Sequence, residues 1–224
     1  MREIVLDTET TGLDPKSGHR IVEIGAVELY NHVPTNNTYH CYINPEREID
    51  QGAFEVHGLS AKFLATFGSF EDVINELYAF IKDDPLIIHN APFDISFLDS
   101  ELLAIGHKTI DKDRVIDTLP MARRKFPGAQ VNLNALCKKY NIDNRHRNLH
   151  GALVDADLLA SVYLELIGGK QPGLKLANDE TVANLTDSVP QKERSKRVFA
   201  VNLTELEAHS KLIDDLVDPI WRIK

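Results

Sequence analysis

Ile4-Val5-Leu6-Asp7-Thr8-Glu9-Thr10-Thr11-Gly12 is the stretch on which the reading of this chain turns. Ile4, Val5 and Leu6 form a short continuous apolar run, the pattern of a strand buried on both faces. Asp7 and Glu9 follow it. Side chains two apart in an extended chain point the same way, so both carboxylates project together from a strand end. Two adjacent carboxylates repel unless a cation joins them. A solvated acidic turn is the plain alternative, and the pair alone does not decide between them.

Moving outward, residues 20–30 and 38–43 are β-rich and are joined by 31–37, a loop with Pro34 and three asparagines. This predicts an antiparallel pair. Ser69 is placed as the N-cap of a helix running to about Lys82, with Phe70, Val73, Ile74, Leu77 and Ile81 at helical spacing. A second buried strand is expected at 85–89, a helix at 93–105 closed by Gly106, and a short strand at 114–117. Helices follow at 119–126, 133–140 and 151–167, the last stopped by Gly168-Gly169. Strands mixed with helices imply an α/β fold, a central mixed sheet covered by helices.

The chain has 224 residues, enough for one sizeable domain and an appendage, and its 43% hydrophobic and 26% charged content is that of an ordinary globular protein. No apolar run is long enough to cross a bilayer, so no membrane partner is expected. The N-terminus enters a strand-like segment directly, which predicts no signal peptide. Cys41 and Cys137 stand far apart and in no metal or redox spacing, which fits the reducing cytoplasm. The net charge of −9 taken as a total argues against nucleic acid, but residues 108–147 carry ten Lys/Arg against four Asp/Glu. That local excess of +6 leaves −15 on the rest. Such a stretch suits an enzyme gripping a short strand end, and equally suits a solvated surface.

Two further carboxylates fall on core-facing helix stripes. At 100° per residue Asp94 shares a face with Phe97, Leu98 and Ile105, whereas Asp99 points with Ser96 and Ser100 and is expected at the surface. Asp94 could also simply serve the helix N-terminus. Asp155 is centred on the face of Leu158, Leu159, Val162 and Leu166, with Asp157 opposite. A buried unpaired carboxylate costs several kcal/mol, and no cationic residue on that helix is placed to pair with it. A bound metal is the economical explanation, and His150 stands five residues earlier at the start of the helix. Four carboxylates and a nearby His suit Mg²⁺ or Mn²⁺ better than Zn²⁺, and four charges could hold two such ions for in-line attack on a phosphodiester.

In this order Asp7-x-Glu9, His89-Asn90-Ala91-Pro92-Phe93-Asp94 and His150-x4-Asp155 resemble the three exonuclease motifs of the DEDD superfamily. The resemblance implies a ribonuclease-H-like fold, a mixed five-stranded sheet flanked by helices. One branch of the superfamily has His five residues before the last Asp and another has Tyr four before it. Position 150 is His and position 151 is Gly, which indicates the His branch. By that resemblance Asp7, Glu9 and Asp155 hold the metal that carries the attacking water, with Asp7 bridging to a second ion supported by Asp94. His150 takes the proton from the nucleophile, a role imidazole chemistry also favours. Residues 52–59 resemble the segment that covers the terminal nucleotide, with His57 as its contact and Gly52 acting through backbone. Asp7, Glu9 and Asp155 would also touch the substrate. Spacing alone would make His57 an unremarked loop histidine.

The motifs place an exonuclease domain at 1–170. Beyond it, Gln171-Pro172-Gly173-Leu174-Lys175-Leu176 resembles the Q-x-x-L-x-[LF] peptide that binds the bacterial sliding clamp. Residues 177–197 read as a flexible polar linker and 198–224 as a tail. Thr204-Glu205-Leu206-Glu207 reads as a capping box opening an amphipathic helix of Leu206, Leu212, Ile213, Leu216 and Val217 that stops near Pro219. So short a tail cannot bury a core alone, and the linker before it favours a partner over the main domain. Both features resemble proofreading subunits of bacterial DNA polymerase III, which implies binding to the catalytic (alpha) subunit of the polymerase and action at DNA 3′ ends. An RNA-trimming enzyme of the same branch is the rival within enzymes. An inactive adaptor bridging clamp and polymerase is the rival outside them.

Overall fold

Strand β1 (Arg2–Thr10) is paired along its whole length with β2 (Ile21–Tyr30), antiparallel, from Arg2↔Tyr30 to Thr10↔Ile21. On its other side β1 meets β4 (Leu86–Ile88) in parallel over Ile4 and Val5 alone. Beyond that pairing one edge of β1 has no strand neighbour among the described residues. Asp7 and Glu9 therefore lie within a strand rather than past its end, on the half that is open to one side. In this computed structural model the described residues are 1–144, 149–168 and 202–216.

The sheet order is β3-β2-β1-β4-β5, with β3 (Val33–Tyr42) antiparallel to β2 and β5 (Val115–Asp117) parallel to β4. It is the mixed five-stranded sheet expected. The β2–β3 connection is tighter than the sequence suggested. Asn31 and His32 both take positive φ (50° and 67°), so two residues make the turn and the expected 31–37 loop becomes strand. Pro34 is tolerated because β3 is an edge strand, where a missing donor costs no ladder bond.

Two layers of helix cover the sheet. On one face α3 (Phe70–Ile81) and α4 (Ala91–Ala104) bury Phe70, Ile74, Leu77, Ile81, Phe97 and Leu98 against Ile4, Leu6, Ile24 and Ala26. On the other α5 (Thr118–Lys125), α6 (Leu133–Tyr140) and α7 (Ala152–Leu166) pack Leu136, Leu158, Leu159 and Val162 against Val5, Val27, Leu29 and Ile87. The alternation of β1, with Ile4 and Leu6 to one face and Val5 to the other, divides the two cores.

Two short helices were not foreseen. α1 (Gln51–His57) occupies the segment read as a loop, and α2 (Ala61–Leu64) follows it. Internal Gly52 and β-branched Val56 make α1 a weak helix by propensity. Its ends hold it: Asp50 N donates to Thr11 O at 3.0 Å, and Gly58 closes it at φ 72°. Asp99, expected at the surface, is half-buried, and its carboxylate accepts from Ile110 N at 2.9 Å.

Residues 1–172 form one compact unit and 173–224 a second. The second holds α8 (Leu203–Asp215), whose N-cap is Asn202 rather than Thr204: Asn202 Oδ1 accepts from Thr204 N at 3.1 Å, so the expected capping box does not form. Leu203, Leu206, Leu212 and Leu216 are exposed. The clamp-like peptide 171–176, the linker 177–197, residues 198–201 and Val217 onward lie outside the described residues.

Candidate active site

Asp7, Glu9, Asp94, His150 and Asp155 line one cavity of about 200 Å³, together with Thr8, His89, Asn90, Phe93 and Leu133. Each arrives by a different local device. Asp7 and Glu9 share the α7 face of β1 with Val5, while Thr8 between them turns to the α4 face. There Thr8 N and Oγ1 both donate to Asp94 Oδ1, at 3.1 and 2.7 Å. Asp94 is 4% exposed. Burial pushes its carboxyl up to about 7, against the Thr8 hydrogen bonds, which favour the charged form.

Asp94 stands in the first turn of α4, which begins at Ala91 because Asn90 adopts a left-handed conformation (φ 65°) and Pro92 is pre-set for a helix start. Asp117 at the end of β5 fixes this corner. Its Oδ1 accepts from Asn90 N at 3.0 Å and from Leu119 N at 2.9 Å, joining the β4–α4 turn to the start of α5. His89 Nδ1 lies 2.8 Å from Thr118 Oγ1, and burial pushes its pKa down, which favours the neutral ring.

Asp155 is 3% exposed on the first turn of α7, and its N–H donates to Gly151 O at 2.9 Å. His150 Nδ1 is 3.3 Å from Asp155 Oδ2, so the helix that lacked a cationic partner meets a histidine from its own leading segment. Ligand atoms of Glu9, His150 and Asp155 lie within 4.8 Å of one another, a separation that one cation can span. Asp7 and Asp94 border the same cavity outside that tight group. An oxygen-rich set of carboxylates with an imidazole beside it suits a hard divalent ion.

A second cavity of about 380 Å³ adjoins through Thr8, Glu9 and Phe93, and is lined by Thr10, Gly12, Leu13, Asp50, Gly52, Ala53, Val56 and His57. A side chain added at Gly52 would meet nothing within 4 Å, so this wall is open. His57 is buried, and its Nδ1 accepts from Leu59 N at 3.0 Å. The ring proton therefore sits on Nε2, which is buried beside the Thr10 carbonyl without reaching good hydrogen-bond geometry to it. Burial pushes the His57 pKa down, while the nearby Thr10 carbonyl and Glu23 oppose this. The two histidines are tied through backbone, as His150 N donates to Val56 O at 3.0 Å.

Reading by motif missed Thr8 and Asp117. Thr8 was accessible from strand alternation, since a polar residue between two same-face carboxylates must point to the opposite layer. Asp117 acts through contacts that only the folded sheet reveals.

The family model described as "Exonuclease" matches residues 4–163. Proteins named DNA polymerase III subunit epsilon are similar over nearly the whole chain. The one from Rickettsia typhi is 48% identical over 97% of each chain. The one from Salmonella typhimurium is 43% identical over 95% of this chain and 92% of its own. Among solved structures, Exonuclease X in complex with 5′ overhanging duplex DNA aligns with TM-score 0.60 and 26% identity over 75% of this chain and 92% of that one. The nuclease domain of 3′hExo, a DEDDh family member bound to rAMP, aligns with TM-score 0.63 over the same shares at 18% identity, which speaks to the fold. The ribonuclease-H-like sheet is thus shared with nucleases, and the chain belongs to the exonuclease family, in the group of the DNA polymerase III epsilon subunits.

Proposed function

We propose that the protein is the 3′→5′ exonuclease of a bacterial replicative DNA polymerase, removing the mispaired 3′-terminal nucleotide. The observation that carries this is the meeting of Asp7 and Glu9 on β1, Asp94 on α4, and His150 and Asp155 at the start of α7 around one cavity. Asp7, Glu9 and Asp155 would hold one divalent ion and Asp94, with Asp7, a second, Mg²⁺ or Mn²⁺ in each case. Bound there, the ions would acidify a water and neutralise charge gathering on the phosphate. His150, half-exposed at the rim and held toward Asp155, takes the proton from the attacking water. The adjoining cavity receives the terminal nucleoside, with His57 Nε2–H as its donor and the Gly52 backbone as part of its wall.

The remaining assignments rest on the resemblance of the tail. The exonuclease domain is 1–170, the peptide 171–176 engages the sliding clamp, 177–197 is a linker, and 198–224 binds the polymerase catalytic subunit in the cytoplasm. The exposed leucines of α8 support a partner for that tail. Among the described residues no helix is long and apolar enough to cross a membrane.

The test is hydrolysis of matched and mispaired DNA primer ends and of a short RNA, in Mg²⁺, Mn²⁺ and chelator. Metal-dependent release of nucleotides, faster at the mispaired DNA end, is expected. Preference for RNA would turn the reading to the RNA-trimming branch. Binding of clamp and polymerase without hydrolysis would turn it to an adaptor.

A further inference from the structure

Gly25 lies on β2 directly opposite Asp7 of β1. A Cβ built there would fall well inside van der Waals contact of backbone atoms Leu153 N, Ala152 C and Leu153 Cα. Backbone cannot rotate away as a flexible side chain can, so the first turn of α7 rests on the sheet only because position 25 has no side chain. That turn carries Asp155, and the residue leading into it is His150. Behind it Ala152, Ala156 and Ala160, all buried, recur every fourth residue and keep α7 close to the sheet along one stripe. The cross-strand pair above it sharpens the point. Glu23 is opposite Glu9, is 3% exposed, and its Oε1 accepts from His40 Nε2 at 2.7 Å, while the same oxygen lies 3.9 Å from where a Gly151 Cβ would stand.

From this we infer that Gly25 is a positioning residue: it sets the distance at which α7 delivers Asp155 and His150 to Asp7 and Glu9. The inference rests on the reading of these residues as a divalent-metal site. A methyl group at position 25 lifts the start of α7 by roughly the displacement that costs a hundredfold in rate when reacting groups are misplaced. The far end of α7 has no such link to the carboxylates. A lift there costs packing and leaves the ligands in place.

The experiment compares the full-length wild type, Gly25→Ala, Ala156→Val and Ala160→Val. Mn²⁺ binding is measured by electron paramagnetic resonance, folding by thermal melting in chelator, and primer degradation against Mn²⁺ concentration. In folded Gly25→Ala, Mn²⁺ should bind at least about tenfold more weakly, with turnover at saturating Mn²⁺ down about a hundredfold. Ala156→Val, on the turn that carries Asp155, should weaken Mn²⁺ binding in the same direction, whereas Ala160→Val should lower the melting temperature and keep wild-type Mn²⁺ affinity. Wild-type affinity and turnover in folded Gly25→Ala overturn the inference. Should Gly25→Ala not fold, Ala156→Val decides: unchanged Mn²⁺ binding overturns it, and so does an equal loss in Ala160→Val. A wild type that binds no Mn²⁺ is a separate failure, that of the metal-site reading itself.

Discussion

Asp94→Asn removes one negative charge while keeping the oxygen that accepts from Thr8 N and Thr8 Oγ1. In metal-free protein the Asp94 carboxyl is pushed from 3.8 to about 7, chiefly by burial. A carboxyl raised on folding contributes most below its unfolded pKa, and that contribution is lost as pH rises through the folded value. The window therefore runs from about pH 4 to about pH 7. A shift of about three units at 1.36 kcal/mol each means that ionised Asp94 costs the apo protein roughly 4 kcal/mol near pH 8. At ~2–4 °C per kcal/mol for a domain of this size, Asp94→Asn in chelator should melt on the order of 10 °C above wild type at pH 8. The gap should close toward pH 4. His57 and His89, both pushed down by burial, pull the absolute stability the other way as pH falls. They are present in both proteins, so their contribution cancels in the difference between the two melting curves. Circular-dichroism melts from pH 4 to 9 in chelator measure it, with activity in Mn²⁺ recorded alongside and expected to be lost. A variant less stable than wild type at pH 8, or a gap independent of pH, would refute the reasoning.

His150→Ala should keep Mn²⁺ binding by the carboxylates and lose about 10²–10⁴ in turnover, the usual worth of a general base; steady-state rates across neutral pH check this, and unchanged turnover removes His150 from the mechanism. Arg20→Ala should destabilise the fold by roughly 3 kcal/mol in urea unfolding, because it strands Glu101, a 3% exposed carboxylate now gripped by two 2.7 Å bonds from the guanidinium. Gln171→Ala should weaken binding to the sliding clamp in surface plasmon resonance while leaving hydrolysis of a short primer unchanged. Equal loss of both would place that residue within the nuclease unit.

What was legible in the sequence followed from periodicity. Asp94 and Asp155 stood out because a carboxylate on an apolar helical stripe breaks a pattern that 3.6-residue geometry makes visible, and both are buried. Ile4, Val5 and Leu6 announced a strand covered on both faces, and α3 and α4 cover one side of it while α7 covers the other. The length of β1 was not legible, because Thr8–Thr10 is polar and is strand by virtue of β2 beside it. α1 was missed for the same kind of reason. Its glycine and valine argue against a helix, and a tertiary anchor at Thr11 with a left-handed stop at Gly58 overrules that local preference. The tail helix shows the converse. Thr204 and Glu207 have the spacing of a capping box, yet Asn202, two residues earlier, supplies a better acceptor and claims the first turn.

The placement of the site follows from the sheet rather than from any one motif. A strand flanked on both edges and covered on both faces has its backbone saturated and its side chains buried, and leaves no room for a phosphate. β1 is flanked on both sides only through Val5. From Asp7 on, β2 still fixes the strand rigidly from one side, while the absence of β4 opens a cleft on the other. Helices from the two layers meet at that cleft only because they begin there: α4 enters from the end of β4 and α7 from the segment bonded to Val56. Rigid ligands from β1 and helix-borne ligands from both faces then close on a space that neither layer could enclose alone. The same geometry explains why the site depends on residues without chemistry of their own. A glycine on β2 and a threonine between two acids decide whether the carboxylates meet, because each controls the approach of one helix to the open half of the strand.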